Sequence, residues 1–283
     1  MVAQIWDGGD VARELLEKVR QQVMHLHHEG RLPPTLAEIR VGQEPFEGRL
    51  QMLHADACRD VGIPYQVYAF PSRCSHQAIR RTLAHLNADT TIGGITIDTQ
   101  SEAYMSDLAM AIAPEKDVDG IHPLHLGRLV TNTRVRPYLR GAEIVQLLKH
   151  AGLTLMGLHV ICMGNASGLA GLLAFLCLHE HATVSVWKAP AKWPMHMLPR
   201  GDVLILDSDD LPSLTGAALK PGVVVVDACP GLEESLLDQP ESMPEAVSLL
   251  IPVPGGIGPT TIARRLLALL SLGRASVITS LDS

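Results

Sequence analysis

Aromatic residues are scarce: Phe, Tyr and Trp make up 4% of a chain that is 47% hydrophobic. A core with so few rings must be built from Val, Ile, Leu and Ala, the residues of buried strands and the helices that cover them. Positive charge is also short. The 23 Lys and Arg stand against 30 Asp and Glu, a net charge of −7 that argues against a large nucleic-acid surface. The acids are spread along the chain rather than gathered into a tail. Neither CxxC nor HExxH occurs, so no metal site is expected, and the 13 His do not change that. Cys58, Cys74, Cys162, Cys177 and Cys229 are odd in number and read as buried free thiols of a reducing compartment. No basic stretch followed by an apolar core opens the chain, and the apolar run 169–178 is too short to span a bilayer. The expectation is a cytoplasmic protein with no membrane and no nucleic-acid partner.

The 283 residues suffice for two domains. Residues 8–29 carry Val11, Leu15, Leu16, Val19, Val23 and Leu26 at helical spacing, with His25, His27 and His28 on a solvated face. A strand is expected over Leu36–Val41, a helix over 46–61 closed by Gly62, a strand over Tyr65–Phe70, a helix over 76–87 and a buried strand over Gly94–Ile97. This alternation predicts a mostly parallel sheet with helices on its faces. A helix over 141–151 leads to a second series of strands, Leu158–Met163, Thr183–Val186, Asp202–Leu206 and Val223–Asp227. The first of these runs into Gly164-Asn165-Ala166-Ser167-Gly168 and a helix, the opening of a Rossmann-type unit without a clean GxGxxG.

The most distinctive stretch is Pro252-Val253-Pro254-Gly255-Gly256-Ile257-Gly258-Pro259-Thr260-Thr261-Ile262-Ala263. Its prolines and glycines make a loop, and Thr260 is the expected N-cap of a helix whose apolar face holds Leu266, Leu267, Leu269 and Leu270. A loop feeding a helix N-terminus can present N–H groups to a ligand. The string resembles the PVPGGVGPMT signature of the bifunctional methylenetetrahydrofolate dehydrogenase/cyclohydrolase (FolD) family. Pro114–Pro123 resembles the family's PxKDVDGFHP, and Gly127-Arg128-Leu129 its GRL. Val41–Pro45 is similar to its VGxDPAS motif, and Ala3–Gly8 to its opening strand and turn.

The resemblance implies an α/β fold in which an N-terminal catalytic domain, residues 1–135, is completed by a C-terminal helix over 259–283. A Rossmann-type domain would cover 136–258, with a folate-holding cleft between the two. It also implies site residues, some of them altered. Leu50 stands at the family's folate-packing tyrosine and His54 at its central lysine, four residues on. Asp98 replaces its catalytic glutamine. A carboxylate near an imidazole fixes its tautomer and raises its pKa, so His54 with Asp98 is a candidate general base. Structural alternatives are a helix cap for Asp98 and a functionless remnant for His54. Asp119, the second Asp of KDVDG, is the implied pterin-binding carboxylate, with Pro254, Gly255 and Gly256 as further substrate contacts.

Cofactor contacts are altered as well. The family's GRSxxVGxP falls on Gly164, Asn165, Ala166 and Ser167, without its arginine for the NADP 2′-phosphate. Lys188, after the next strand, could meet a phosphate. Asp207-Ser208-Asp209-Asp210 takes the place of the family's AVGxP, and three carboxylates would repel a pyrophosphate. The sequence thus leans against NADP without excluding it. Three functional readings follow: a divergent enzyme acting on methylene- or methenyl-tetrahydrofolate through His54 and Asp98, by cyclohydrolase chemistry or by moving the methylene unit to a second small acceptor without a hydride step; the ordinary NADP-dependent bifunctional enzyme; and an inactive folate-binding paralogue. Family resemblance implies a homodimer.

Overall fold

The structure, a computed structural model, describes residues 3–42, 45–99, 102–131, 139–164, 169–188, 194–207, 214, 218–228, 245–252 and 257–279. The side chains of 45–51, 102–104, 106, 140, 169, 188 and 273–279 lie outside that description. In chain order the strands and helices are β1 (Gln4–Ile5), α1 (Gly9–His28), β2 (Thr35–Val41), α2 (Pro45–Val61), β3 (Tyr65–Phe70), α3 (His76–Ala88), β4 (Ile92–Thr99), α4 (Glu102–Ala109), α5 (Pro123–Val130), α6 (Leu139–His150), β5 (His159–Gly164), α7 (Leu169–His179), β6 (Thr183–Lys188), β7 (Val203–Asp207), β8 (Val223–Asp227), β9 (Val247–Ile251) and α8 (Ile257–Thr279). They form two compact units: Val11–Leu139 with Thr261–Ser283, and Met1–Asp10 with Arg140–Thr260. The expected α/β architecture with parallel sheets is present.

The first unit holds a three-stranded parallel sheet ordered β3-β2-β4. Side chains alternate between its faces. One face sends Ala37, Ile39, Val41, Ile95 and Ile97 against Ile79, Leu83 and Leu86 of α3 and Leu108 of α4. The helix α3 begins cleanly because Ser75 caps it, its hydroxyl accepting from the Ala78 N–H at 3.3 Å. The other face starts apolar. Leu36 packs with Val19, Val23 and Leu26 of α1, Cys58 and Val61 of α2, and Leu266, Leu269 and Leu270 of α8. Gly94 is required there: a Cβ would meet Val118 Cγ2 at 2.3 Å and Leu269 Cδ1 at 2.6 Å. Toward the carboxyl ends of the strands the same face turns polar, with Glu38, Arg40, Thr96 and Asp98.

The second unit is a six-stranded parallel sheet ordered β1-β9-β8-β7-β5-β6. A βαβ unit runs from β5 through α7 to β6. Gly164 ends β5 opposite Asp207 of β7, where a Cβ would meet the Asp207 carbonyl oxygen at 2.4 Å. Its lack of a side chain lets the two strand ends run together.

Three expectations change. Residues 1–10, expected with the first unit, pack with the second, because β1 pairs in parallel with β9. Thr260 does not cap α8: the helix starts at Ile257, so Thr260 lies inside its first turn and donates its hydroxyl to the Ile257 carbonyl at 2.8 Å. Asp98 does not cap a helix either, because β4 continues through Thr99. Cys58, Cys162 and Cys177 are buried free thiols, Cys74 is free but only half-buried, and Cys229 lies outside the described residues. No described helix is long and apolar enough to cross a membrane.

Candidate functional site

The polar patch on the first unit's sheet is assembled by strand register. Glu38 of β2 sits beside Thr96 of β4, and Arg40 beside Asp98, so four polar side chains share one face. In α/β proteins ligands gather at the carboxyl ends of parallel strands, and this patch lies there. The helix α2 adds His54, α8 adds Arg265, and the segment after β4 adds Asp119.

The groups form one continuous network. Arg265 holds Asp119 with two donors, Nε to Oδ1 at 2.8 Å and a terminal nitrogen to Oδ2 at 3.2 Å. Thr96 donates its hydroxyl to the same Oδ2. The other terminal nitrogen of Arg265 lies 2.9 Å from His54 Nε2. On the far side of the ring, His54 Nδ1 is 3.0 Å from Glu38 Oε2. Glu38 also accepts from the Tyr65 hydroxyl and from Arg40. Arg40 then faces Asp98 at 3.5 Å. Glu38 and His54 are almost wholly enclosed, whereas the Asp98 side chain is 28% exposed and forms the mouth of the network.

Hydrogen-bond chemistry assigns the protons. A guanidinium only donates, so His54 Nε2 is the acceptor and Nδ1 carries the hydrogen that goes to Glu38. Burial depresses the His54 pKa; the Glu38 bond opposes this, and the Arg265 charge adds to it. Burial alone would raise Glu38, but its bond to His54, the Tyr65 hydroxyl and the Arg265 charge together bring it down to about 2. Tyr65 is pushed up by burial and by Glu38. Asp98 is raised by burial and by Glu38, against the pull of Arg40. Burial works against the Arg265 charge, yet Asp119 and Glu38 keep it firmly protonated.

The structure therefore corrects the expected dyad. The carboxylate on His54 is Glu38, not Asp98, because Glu38 lies deeper on β2 while Asp98, one pair further along, is taken by Arg40. Asp119 sits in the same cluster, but Arg265 and Thr96 engage both of its oxygens. The side chain of Leu50 on α2 lies outside the described residues, as do Asn165, Ala166, Ser167, Pro254, Gly255 and Gly256. Gly164 ends β5, and the backbone of Lys188 ends β6 beside it. No described group of three or more His, Cys, Asp or Glu could hold a metal ion.

Sequence reasoning missed Glu38, Arg40, Tyr65 and Arg265. A signal was available for the first two: a central parallel strand covered on both faces reads as a near-continuous apolar run, and charges at 38 and 40 break it.

Comparison with known proteins also divides the chain near residue 140. Residues 6–119 match the model for the catalytic domain of tetrahydrofolate dehydrogenase/cyclohydrolase, and residues 140–275 the model for its NAD(P)-binding domain. The bifunctional protein FolD of Geobacillus thermodenitrificans is 31% identical over 268 residues, 93% of this chain and 94% of that protein. The crystal structure of the FolD enzyme of Campylobacter jejuni is similar at TM-score 0.81 and 25% identity, covering 97% of this chain and 99% of that one. The Trypanosoma brucei enzyme, solved with NADP cofactor and an inhibitor, superposes at TM-score 0.83 with 22% identity, covering 97% of this chain and 98% of that one. A match to the NAD(P)-binding model across the second unit outweighs the altered loop motif as evidence about that domain.

Proposed function

This chain belongs to the tetrahydrofolate dehydrogenase/cyclohydrolase family, and from that premise we propose that it oxidises 5,10-methylenetetrahydrofolate while His54 takes no part in hydrolysing the methenyl product. The observation that carries the reading is the double engagement of His54. It stands where the family has its central lysine, and both ring nitrogens are committed, one to Arg265 and one to Glu38. A buried neutral imidazole whose acceptor nitrogen already receives a guanidinium N–H has no lone pair for a water proton. Arg265 brings a cation to the same place but cannot act as a base near neutral pH.

The folate lies, in this reading, over the carboxyl ends of β2 and β4, with Asp119 toward its pterin ring. The described part of the second unit fits a dinucleotide: parallel strands β5 and β6 end together at Gly164 and Lys188, where a Rossmann-type unit meets pyrophosphate and ribose. A nicotinamide nucleotide held there would supply the hydride acceptor. Lys188 at the end of β6 is the residue suited to a ribose phosphate.

Two assays test the proposal. Methylenetetrahydrofolate with NADP or NAD should give methenyltetrahydrofolate, seen by its absorbance, and added methenyltetrahydrofolate should disappear no faster than in buffer. Calorimetric titration with a tetrahydrofolate analogue should show binding without nucleotide. Failure to bind any folate would overturn the reading, and enzyme-accelerated hydrolysis abolished by His54→Asn would overturn the role given to His54.

A further inference from the structure

We propose that Asp98 is the counter-ion for a cationic one-carbon unit, so that the site selects the methenyl cation over folates whose one-carbon group is neutral. This rests on the folate reading above and assigns it a charge preference. Both Glu38 oxygens are engaged, by Arg40 on one side and by His54 and Tyr65 on the other, and the residue is fully buried. Both Asp119 oxygens are engaged by Arg265, with Thr96 added on one of them. Asp117 spends its carboxylate on the Gly120 and His122 N–H groups, beside His125. Asp98 differs. Its buried Oδ2 has no hydrogen bond among the described residues, only the ion pair with Arg40 at 3.5 Å, and the Asp98 side chain is the most exposed carboxylate of the cluster.

Charge counting points the same way. Glu38, Asp98 and Asp119 face Arg40 and Arg265, with His54 held neutral by its two partners. Three carboxylates against two guanidiniums leave one negative charge without a compensating cation, and it falls at the exposed end. A carboxyl there has a choice. Burial and the Glu38 charge disfavour its ionised form, while Arg40 and Arg265 favour it. A cation docking beside it favours the ionised form, and any proton the carboxyl carries leaves to solvent. Removing hydride from a methylene bridge between two nitrogens leaves such a cation, its charge shared between them. A site built this way holds the oxidised product.

The test uses the full chain and two probes: 5,10-methenyltetrahydrofolate, cationic at the one-carbon centre, and 5-formyltetrahydrofolate, neutral there. Each is bound in rapid-mixing fluorescence titrations across a pH series, the slope of log affinity against pH giving the protons exchanged. The expected result is that methenyl binding tightens with rising pH, by up to about tenfold per unit while Asp98 is still protonated, releasing one proton. Formyl binding should stay flat. Asp98→Asn should flatten the methenyl curve and keep formyl binding, and His54→Asn should keep the slope. Binding of both probes with equal pH dependence, or a slope that survives in Asp98→Asn, would overturn the assignment to Asp98 and leave the folate reading standing. If neither probe binds the wild-type chain, both readings fall together.

Discussion

Arg265 meets His54 nitrogen to nitrogen at 2.9 Å, and that contact decides which nitrogen of the imidazole carries its proton. The two residues come from α8 and α2, 211 positions apart. One is a permanent cation and donor, the other a ring that must then accept. His54 is thereby held as the Nδ1–H tautomer, pointing its hydrogen at Glu38. Nitrogen-15 spectra should show this directly. Between about pH 5 and 8, where a free imidazole titrates, the His54 Nε2 signal should stay that of an unprotonated acceptor. A shift to the doubly protonated form near neutrality would refute the assignment.

Removing the cation tests the other side of the contact. Arg265→Met leaves Asp119 buried without its two-donor partner and returns a free Nε2 to His54. Breaking a buried ion pair from one side costs about 3–5 kcal/mol, so the denaturant midpoint should fall sharply. Arg265→Lys keeps the charge but not the paired geometry, and should recover part of that loss. Equal stability of all three proteins would show that the pair contributes nothing.

Much of this arrangement was legible before the fold was known, and the missing part has a physical reason. The strand Tyr65–Phe70 and the strand Val223–Asp227 end where the sequence pattern puts them, because strand composition and flanking turn residues mark both ends. The motif positions His54, Asp98 and Asp119 do converge on one face of one unit. The wiring among them was not legible. It depends on the register that sets Glu38 beside Thr96 and Arg40 beside Asp98, and on a helix from the end of the chain laying Arg265 across them. Register is a property of paired strands. Arg265 sits next to Leu266 in a helix whose leucines fill the core, so the local pattern marks the helix and not the partner its arginine finds.

The close passage of α8 over β4 gives a packing test independent of charge. A methyl group at position 94 would sit 2.3 Å from Val118 Cγ2 and 2.6 Å from Leu269 Cδ1. Both neighbours are buried, so neither can swing into solvent. Gly94→Ala should therefore destabilise the first unit by about 1–3 kcal/mol, the usual cost of an extra carbon in a filled core. Thermal unfolding measures it, and a melting temperature at or above the parent's would contradict the contact.

Acid should loosen this unit in two stages, and Tyr65 lets the second be checked. The folded His54 resists protonation, so below about pH 6.5 the unfolded chain binds a proton that the native state refuses, and stability declines. Glu38, held down to about 2 in the fold, adds a second loss once pH drops below the ordinary carboxylate range. A shift of that size is worth about 3 kcal/mol when fully expressed. Asp98 acts in the opposite sense: its raised pKa makes the native state the better proton binder, which offsets part of the loss as pH falls. Urea midpoints at about pH 7, 5 and 3 should decrease in that order. Tyr65→Phe removes one hydrogen bond to Glu38 and lets its pKa rise. The variant should then start less stable at neutral pH and lose less on acidification, so that the two curves converge at low pH. Parallel curves would mean that the hydroxyl does not act through the Glu38 charge.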